Sequence, residues 1–168
     1  TAFDPLLERK MSEIKLYVVG LPAPQGSKRI VGHHGGRARL VESSKKVRPW
    51  RQDVKYAALS QYKGPIIEVP VSVDIVFYFP RPRSHYGTGK NAAKIKSSAP
   101  FWVISKSCGD LDKLLRSTFD ALSASSGGAN ILKDDSQIAA VSAKKYYSDD
   151  RTSGAVIIVK TIDDIKIA

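Results

Sequence analysis

CGDLDKLLRSTFDALSASSGGANILKDDSQI, residues Cys108–Ile138, is the stretch from which the architecture can be read outward. Leu111, Leu114, Leu115, Phe119 and Leu122 recur at helical spacing and predict an amphipathic helix that starts close to Asp110. Ser123–Asn130 reads as a Ser and Gly linker, and Gln137–Tyr147 as a strand. Two pairs of acids therefore fall at element ends: Asp110 and Asp112 flank Leu111 at the helix start, and Asp134 and Asp135 immediately precede the strand. Two acids one residue apart in extended chain project to the same side, so such a pair can converge on one ion when a third acid approaches from a neighbouring strand.

Upstream of this stretch the alternation of Val69, Val71, Val73, Ile75, Phe77 and Phe79 is the clearest strand signal in the chain, with Pro70, Ser72 and Asp74 facing the other way. Before it, Pro49 suits a first helical turn, and Trp50, Val54, Ala57, Ala58 and Tyr62 recur at helical spacing until Gly64 and Pro65 end the pattern. Lys15–Gly20 predicts a first strand and Ala155–Ile162 a last one, while Phe101–Ser105 reads as a short strand. The order is strand, basic hairpin, helix, strand, helix, strand, strand, without repeats. This is an α+β chain with two main helices in a single domain over residues 15–168, and residues 1–14 are expected to be a leader or disordered tail.

The charge narrows the partner. Against 16 Asp and Glu stand 27 Lys and Arg, a formal net charge of +11. Such an excess selects a polyanion. No apolar run approaches the roughly 18 residues of a spanning helix, which favours nucleic acid over membrane. The single cysteine, Cys108, excludes an intramolecular disulfide and a cysteine-built zinc site, and a cytoplasmic setting is expected. The three histidines lack metal-ligand spacing and read as solvated loop residues.

Basic residues concentrate in two loops. From Lys28 to Lys55 there are nine Lys or Arg against two acids, with His33, His34, Gly35 and Gly36 at a hairpin tip. The segment PRPRSHYGTGKNAAKIKSSAP, residues 80–100, carries five Lys or Arg and no acid, and has too little apolar surface to offset the entropy of ordering it, so a flexible loop is expected. The candidate DNA contacts are Lys28, Arg29, Arg37, Arg39, Lys45, Lys46 and Arg48 from the first, and Arg81, Arg83, Lys90, Lys94 and Lys96 from the second. They would supply salt-dependent affinity without sequence choice. Trp102, close to the acid pair, is the aromatic best placed to stack on a base, whereas Trp50 reads as core.

A cluster of Asp110, Asp112, Asp134 and Asp135 has the oxygen-rich character that hard cations require. Beside a phosphodiester such an ion supplies hydroxide at neutral pH and neutralises transition-state charge. Lys113, and Arg116 four residues after Asp112, could steady the phosphate or the leaving oxygen. The plainer alternative makes Asp110 or Asp112 a helix N-cap and Asp134 and Asp135 turn formers. The chain would then be a non-catalytic nucleic-acid-binding module.

The segment GDLDKLLRSTFDAL followed by a loop and KDDSQI, with GLPAPQGSKR at Gly20–Arg29, resembles the RusA family of crossover junction endodeoxyribonucleases. The resemblance implies a bacterial or phage-encoded homodimer with a mixed sheet. It would bind four-way DNA junctions and resolve Holliday junctions by paired nicks with Mg²⁺, Mn²⁺ being able to substitute. Carried over by position, it makes Asp110, Asp112 and Asp135 the metal-binding acids, with Asp134 beside them. The family's catalytic lysine position is occupied by Arg116, which keeps the charge but does not donate a proton at ordinary pH. Asp120 matches an acid of the family's DAL segment, and its expected role is a salt bridge with Arg116. The Ser123–Lys133 loop is a few residues longer than the family pattern. A flap or branched-DNA nuclease using the same chemistry is the nearest alternative.

Overall fold

The computed structural model describes residues 12–26, 28–42 and 45–162; residues 1–11, most of the expected leader, lie outside it. Six strands and two α-helices follow in the order β1 (Glu13–Val19), β2 (Lys28–His34), β3 (Arg37–Glu42), α1 (Val47–Gln61), β4 (Val71–Pro80), α2 (Leu111–Leu122), β5 (Ile138–Ser148) and β6 (Gly154–Thr161). β1, β6, β4 and β5 form one sheet in that spatial order; β1 and β4 run antiparallel to β6, and β5 runs parallel to β4. The chain is thus α+β with a mixed sheet. β2 and β3 form a separate antiparallel hairpin that turns at Gly35 and Gly36.

Alternation in β4 has the expected consequence: Val71, Val73, Ile75, Phe77 and Phe79 are buried, while Ser72, Asp74, Val76 and Tyr78 lie on the half-exposed face. Leu16 of β1, Ile157 of β6 and Ile75 of β4 are matched in register, so one apolar row crosses three strands. α1 contributes Trp50, Val54, Ala57 and Ala58 to the same core, and α2 contributes Leu114, Ala121 and Leu122. The helices are tied directly by the buried indole of Trp50, whose Nε1 donates to Thr118 Oγ1 at 3.1 Å. Among the described residues no helix is long and apolar enough to cross a membrane.

Three expectations change. Phe101–Ser105 forms no strand; the segment makes a single antiparallel bridge, Trp102 with Tyr146, because only Val103 N and Phe101 O reach β5. Residues 80–100 are folded instead of loose. Tyr86 is buried there and bridged to Ile95, and Arg81 donates to Asp149 at 3.0 Å and to the Pro100 carbonyl at 2.7 Å. Cationic side chains that bond the loop's own carbonyls replace the missing apolar surface. His85 is no solvated loop residue either, since it packs edge-on against Tyr147 at 4.8 Å, whereas His33 and His34 are exposed.

Candidate active site

α2 is the element around which the acids are placed. Its N-terminal end is fixed by contacts with the loop after β1 and with β5: Gln25 N donates to Lys113 O at 3.0 Å, Ser117 Oγ donates to Ala23 O at 2.7 Å, and Lys145 Nζ donates to Gly109 O. Gly109 is required there, because its φ is +85° and a Cβ would lie 2.4 Å from Pro24.

Asp110 holds the N-cap position in extended conformation, yet its side chain makes no capping hydrogen bond. Instead its Oδ2 accepts from Lys113 Nζ at 2.8 Å. That bond and the Lys113 charge, helped by Lys145 and Lys106, hold the Asp110 carboxyl below the usual range; Lys113 is raised in return. Asp112 lies in the first helical turn and is exposed. The two acids therefore straddle the helix start and do not share an extended run, since Leu111 packs against the core and begins the helix.

The C-terminal end of α2 gathers the other acids. Asp134 caps the short 3-10 turn Asp135–Gln137, accepting from Ser136 N at 2.9 Å while Gln137 Oε1 accepts from Asp134 N at 2.9 Å. Gln137 Nε2 donates to the carbonyls of Ile67 and Val69, which locks this turn to the chain entering β4. Hydrogen bonds from Ser125 and Ser136 lower the Asp134 carboxyl to about 2. Asp135 shifts the other way: partial desolvation, then the charges of Asp134 and Asp120, raise its carboxyl. Asp120 does not pair with Arg116 as expected. It faces α1, where Arg51 lies 3.8 Å away, and accepts from Ser126 Oγ at 3.4 Å. Arg116 is exposed and makes no ion pair among the described residues.

Asp110 and Asp120 are ten residues apart on a helix rising about 1.5 Å per residue, so roughly 15 Å separates the two acid groups. Among the described residues no three His, Cys, Asp or Glu side chains come together as a metal site would require. Asp110 and Asp112 still suit a hard cation, since magnesium is commonly held by one or two carboxylates and completes its shell with water and phosphate. The third acid of the expected set, Asp135, stands at the opposite end of the helix.

The basic residues divide by environment. Arg37, Lys45, Lys46 and Arg48 are exposed, and Lys28, Arg29 and Arg39 lie on β2 and β3. Lys90 and Lys94 are exposed on the second loop. Arg81 is only 5% exposed, and Arg83 and Lys96 donate to the carbonyls of Gly87 and Ser84. Lys145 and Lys106 escaped the sequence reading. Lys145 had a signal: it shares strand parity with Ala143 and Tyr147, facing the side that α2 covers, where a lysine needs a partner. Phe101 and Trp102 are each about half exposed, and both lie against Tyr146, on the face of β5 opposite Lys145, Phe101 stacking on it at 4.9 Å.

The likeness read from the acid-helix-acid segment extends over nearly the whole described chain. The family model for Endodeoxyribonuclease RusA matches residues 20–160. The chain is also 30% identical over 141 residues to the uncharacterized protein YqaN of Bacillus subtilis (strain 168), a match covering 83% of this chain and 92% of that protein. With its order of elements, its mixed sheet and its acids at both ends of α2, this chain belongs to the RusA endodeoxyribonuclease family.

Proposed function

We propose that the protein is a structure-selective endonuclease that resolves four-way DNA junctions by paired hydrolytic nicks, using Mg²⁺ or Mn²⁺. The observation that carries this reading is Asp110 at the N-cap of α2 without capping it. A structural aspartate at that position would spend its oxygens on the free backbone amides. This one is kept ionised and exposed by Lys113.

Asp110 and Asp112 would hold the cation, and the ion supplies a nucleophile at neutral pH and offsets the negative charge that builds on the phosphate. The remaining work belongs to the chain's own groups. Arg116, one turn beyond Asp112 and free of ion pairs among the described residues, clamps a phosphate oxygen with its planar guanidinium. It stabilises charge without giving a proton. Lys113 is held as a cation and contributes a second positive charge at the same end. The exposed Arg37, Lys45, Lys46, Arg48, Lys90 and Lys94 grip the backbone of the arms, and Trp102 offers an exposed stacking face.

Cleavage of a four-way junction, a flap and a linear duplex with and without Mg²⁺ tests the reading. Asp112→Asn should lower junction cleavage on the order of a hundredfold or more while junction binding is kept or tightened. Preference for the flap would reassign the substrate. Undiminished cleavage by Asp112→Asn, or binding with no cleavage by the unmodified protein, would remove the enzyme reading in favour of a binding module.

A further inference from the structure

The helices cover one face of the sheet; on the other, Tyr78 of β4 and Tyr146 of β5 stand opposite each other in register. Their rings meet edge to face at 4.8 Å. Phe101 lies nearly parallel to Tyr146, at 4.9 Å and 15°, and Trp102 meets Phe101 edge-on at 5.0 Å. Four aromatic rings thus form one continuous surface, whose outermost members, Phe101 and Trp102, are 52% and 54% exposed. The segment that carries them is held on both sides: Val103 is buried, its N donates to Lys145 O, Tyr147 N donates to Phe101 O, and Arg81 donates to the Pro100 carbonyl. Two large rings are therefore fixed in contact with water, which is unfavourable by roughly 25 cal/mol for each Å² of apolar surface, and a ligand that covers them removes that penalty.

The rim of this surface defines the ligand. Tyr78, Phe101 and Tyr146 line a hollow of about 460 Å³ together with Ser148, Asp149 and Asp150. Both acids are exposed; Asp149 accepts from Arg81, and Asp150 accepts from Thr152 N and Oγ1, bonds that hold its carboxyl below the usual range. A carboxylate rim repels phosphate and accepts hydrogen bonds without giving any. Over an aromatic floor it suits a flat, uncharged ring with N–H donors on its edge, and an unpaired nucleobase has that form. In a duplex both faces of a base are covered by its neighbours. A cationic peptide also suits carboxylates, but it must approach a chain of net charge +11, and Arg81 already occupies Asp149.

We infer that the exposed face of Phe101, with Trp102 beside it and Asp149 and Asp150 at its rim, is a docking site for one unpaired base of the DNA, with preference for a base that carries an amino group. Because Tyr146 and Lys145 project to opposite faces of β5, the site is separate from the acids of α2. A junction offers bases that are readily unstacked at its branch point, and a linear duplex does not. The inference rests on the DNA-binding part of the function proposed above and not on cleavage.

Intrinsic fluorescence of the full chain without Mg²⁺ tests this, because Trp50 has no exposed surface and Trp102 is the exposed indole. The probes are short single strands of abasic deoxyribose, one with a single central adenine, one with a single unsubstituted purine and one with no base, and a blunt duplex. The adenine strand should quench Trp102 and bind on the order of tenfold more tightly than the strand with no base. The purine strand, which lacks only the amino group, should fall between them. Phe101→Ala, and Phe101→Leu, which stays apolar without a flat face, should both lose the adenine advantage while binding the duplex as before. Asp150→Asn should tighten the strand with no base by relieving repulsion. Equal binding of the adenine strand and the strand with no base, or a loss in Phe101→Ala that the duplex shares, overturns the site. Tighter binding of an oligoarginine peptide than of the adenine strand, with quenching of Trp102, also overturns it in favour of a peptide site. Adenine-dependent quenching in a protein that nicks no junction leaves the base site standing and removes the nuclease reading; nicking without such quenching does the reverse.

Discussion

The two ends of α2 carry the same residue type and treat it in opposite ways. At the N-terminal end Asp110 lies at a cap position but leaves the amides alone, bonds Lys113 and is pushed below its usual range. At the C-terminal end Asp134 caps a turn in full, and Asp135 beside it is raised by desolvation and by two like charges. An aspartate at an element boundary is therefore not informative by position. What separates a structural from a chemical carboxylate is whether backbone amides take up its oxygens. By that standard Asp134 is structural, and Asp110 and Asp135 are available, one surrounded by cations and the other by anions.

The comparison depends on α2 being a fixed spacer, and the largest expected effect comes from loosening it. Trp50 has no exposed surface, packs near Phe77 and donates to Thr118 in the middle of α2. Trp50→Ala should destabilise the fold by about 3–5 kcal/mol, through lost burial and the cavity left behind. Urea unfolding followed by circular dichroism measures it. If the loss is under about 1 kcal/mol, the helices are not held as a unit and the separation of the acid groups loses its meaning.

Each end can next be disturbed alone. Gly109→Ala forces a Cβ against Pro24 at a φ of +85°, so it should cost about 1–3 kcal/mol and displace Asp110. Gln137→Ala removes an acceptor from Asp134 N and donors from two carbonyls, a comparable cost of about 1–3 kcal/mol. Both should lower junction cleavage if both ends serve the reaction. Cleavage that falls only for Gly109→Ala would leave Asp134 and Asp135 as turn residues.

Much of this arrangement is legible in the residues themselves. Strict alternation from Val71 to Phe79 and the leucine spacing of α2 identify their elements, because periodicity reports which side is buried. The acids at the two ends of α2 are visible for the same reason. Contacts between elements are not. Arg116 and Asp120 have the spacing of a helical ion pair, but Asp120 meets Arg51 because α1 lies against that face of α2. Residues 80–100 read as too polar to fold, and they fold on hydrogen bonds from Arg81, Arg83 and Lys96 to carbonyls whose positions no local pattern reveals. The distance between the acid pairs belongs to this second kind, since it follows from α2 running back along β5.

The smallest effect is also the most direct reading of the contrast, because it uses the sign of a stability change in metal-free protein. The folded state holds Asp110 below its ordinary value, so its ionised form stabilises the fold above about pH 4, and this contribution disappears as pH falls through the lowered value. Asp135 is raised, so its ionised form opposes folding at neutral pH, and the penalty fades as pH falls through the raised value toward the ordinary one. Asp110→Asn should therefore lower the Tm at pH 7 and Asp135→Asn should raise it, each by about a degree, since both side chains are reached by solvent and screened. The gain from Asp135→Asn should shrink on acidification and be gone below about pH 4, where the native carboxyl is protonated in both states. Shifts of the same sign in differential scanning fluorimetry would mean that the two ends of α2 are electrostatically alike. A gain that Mg²⁺ erases would instead show that a bound cation relieves the repulsion at Asp135.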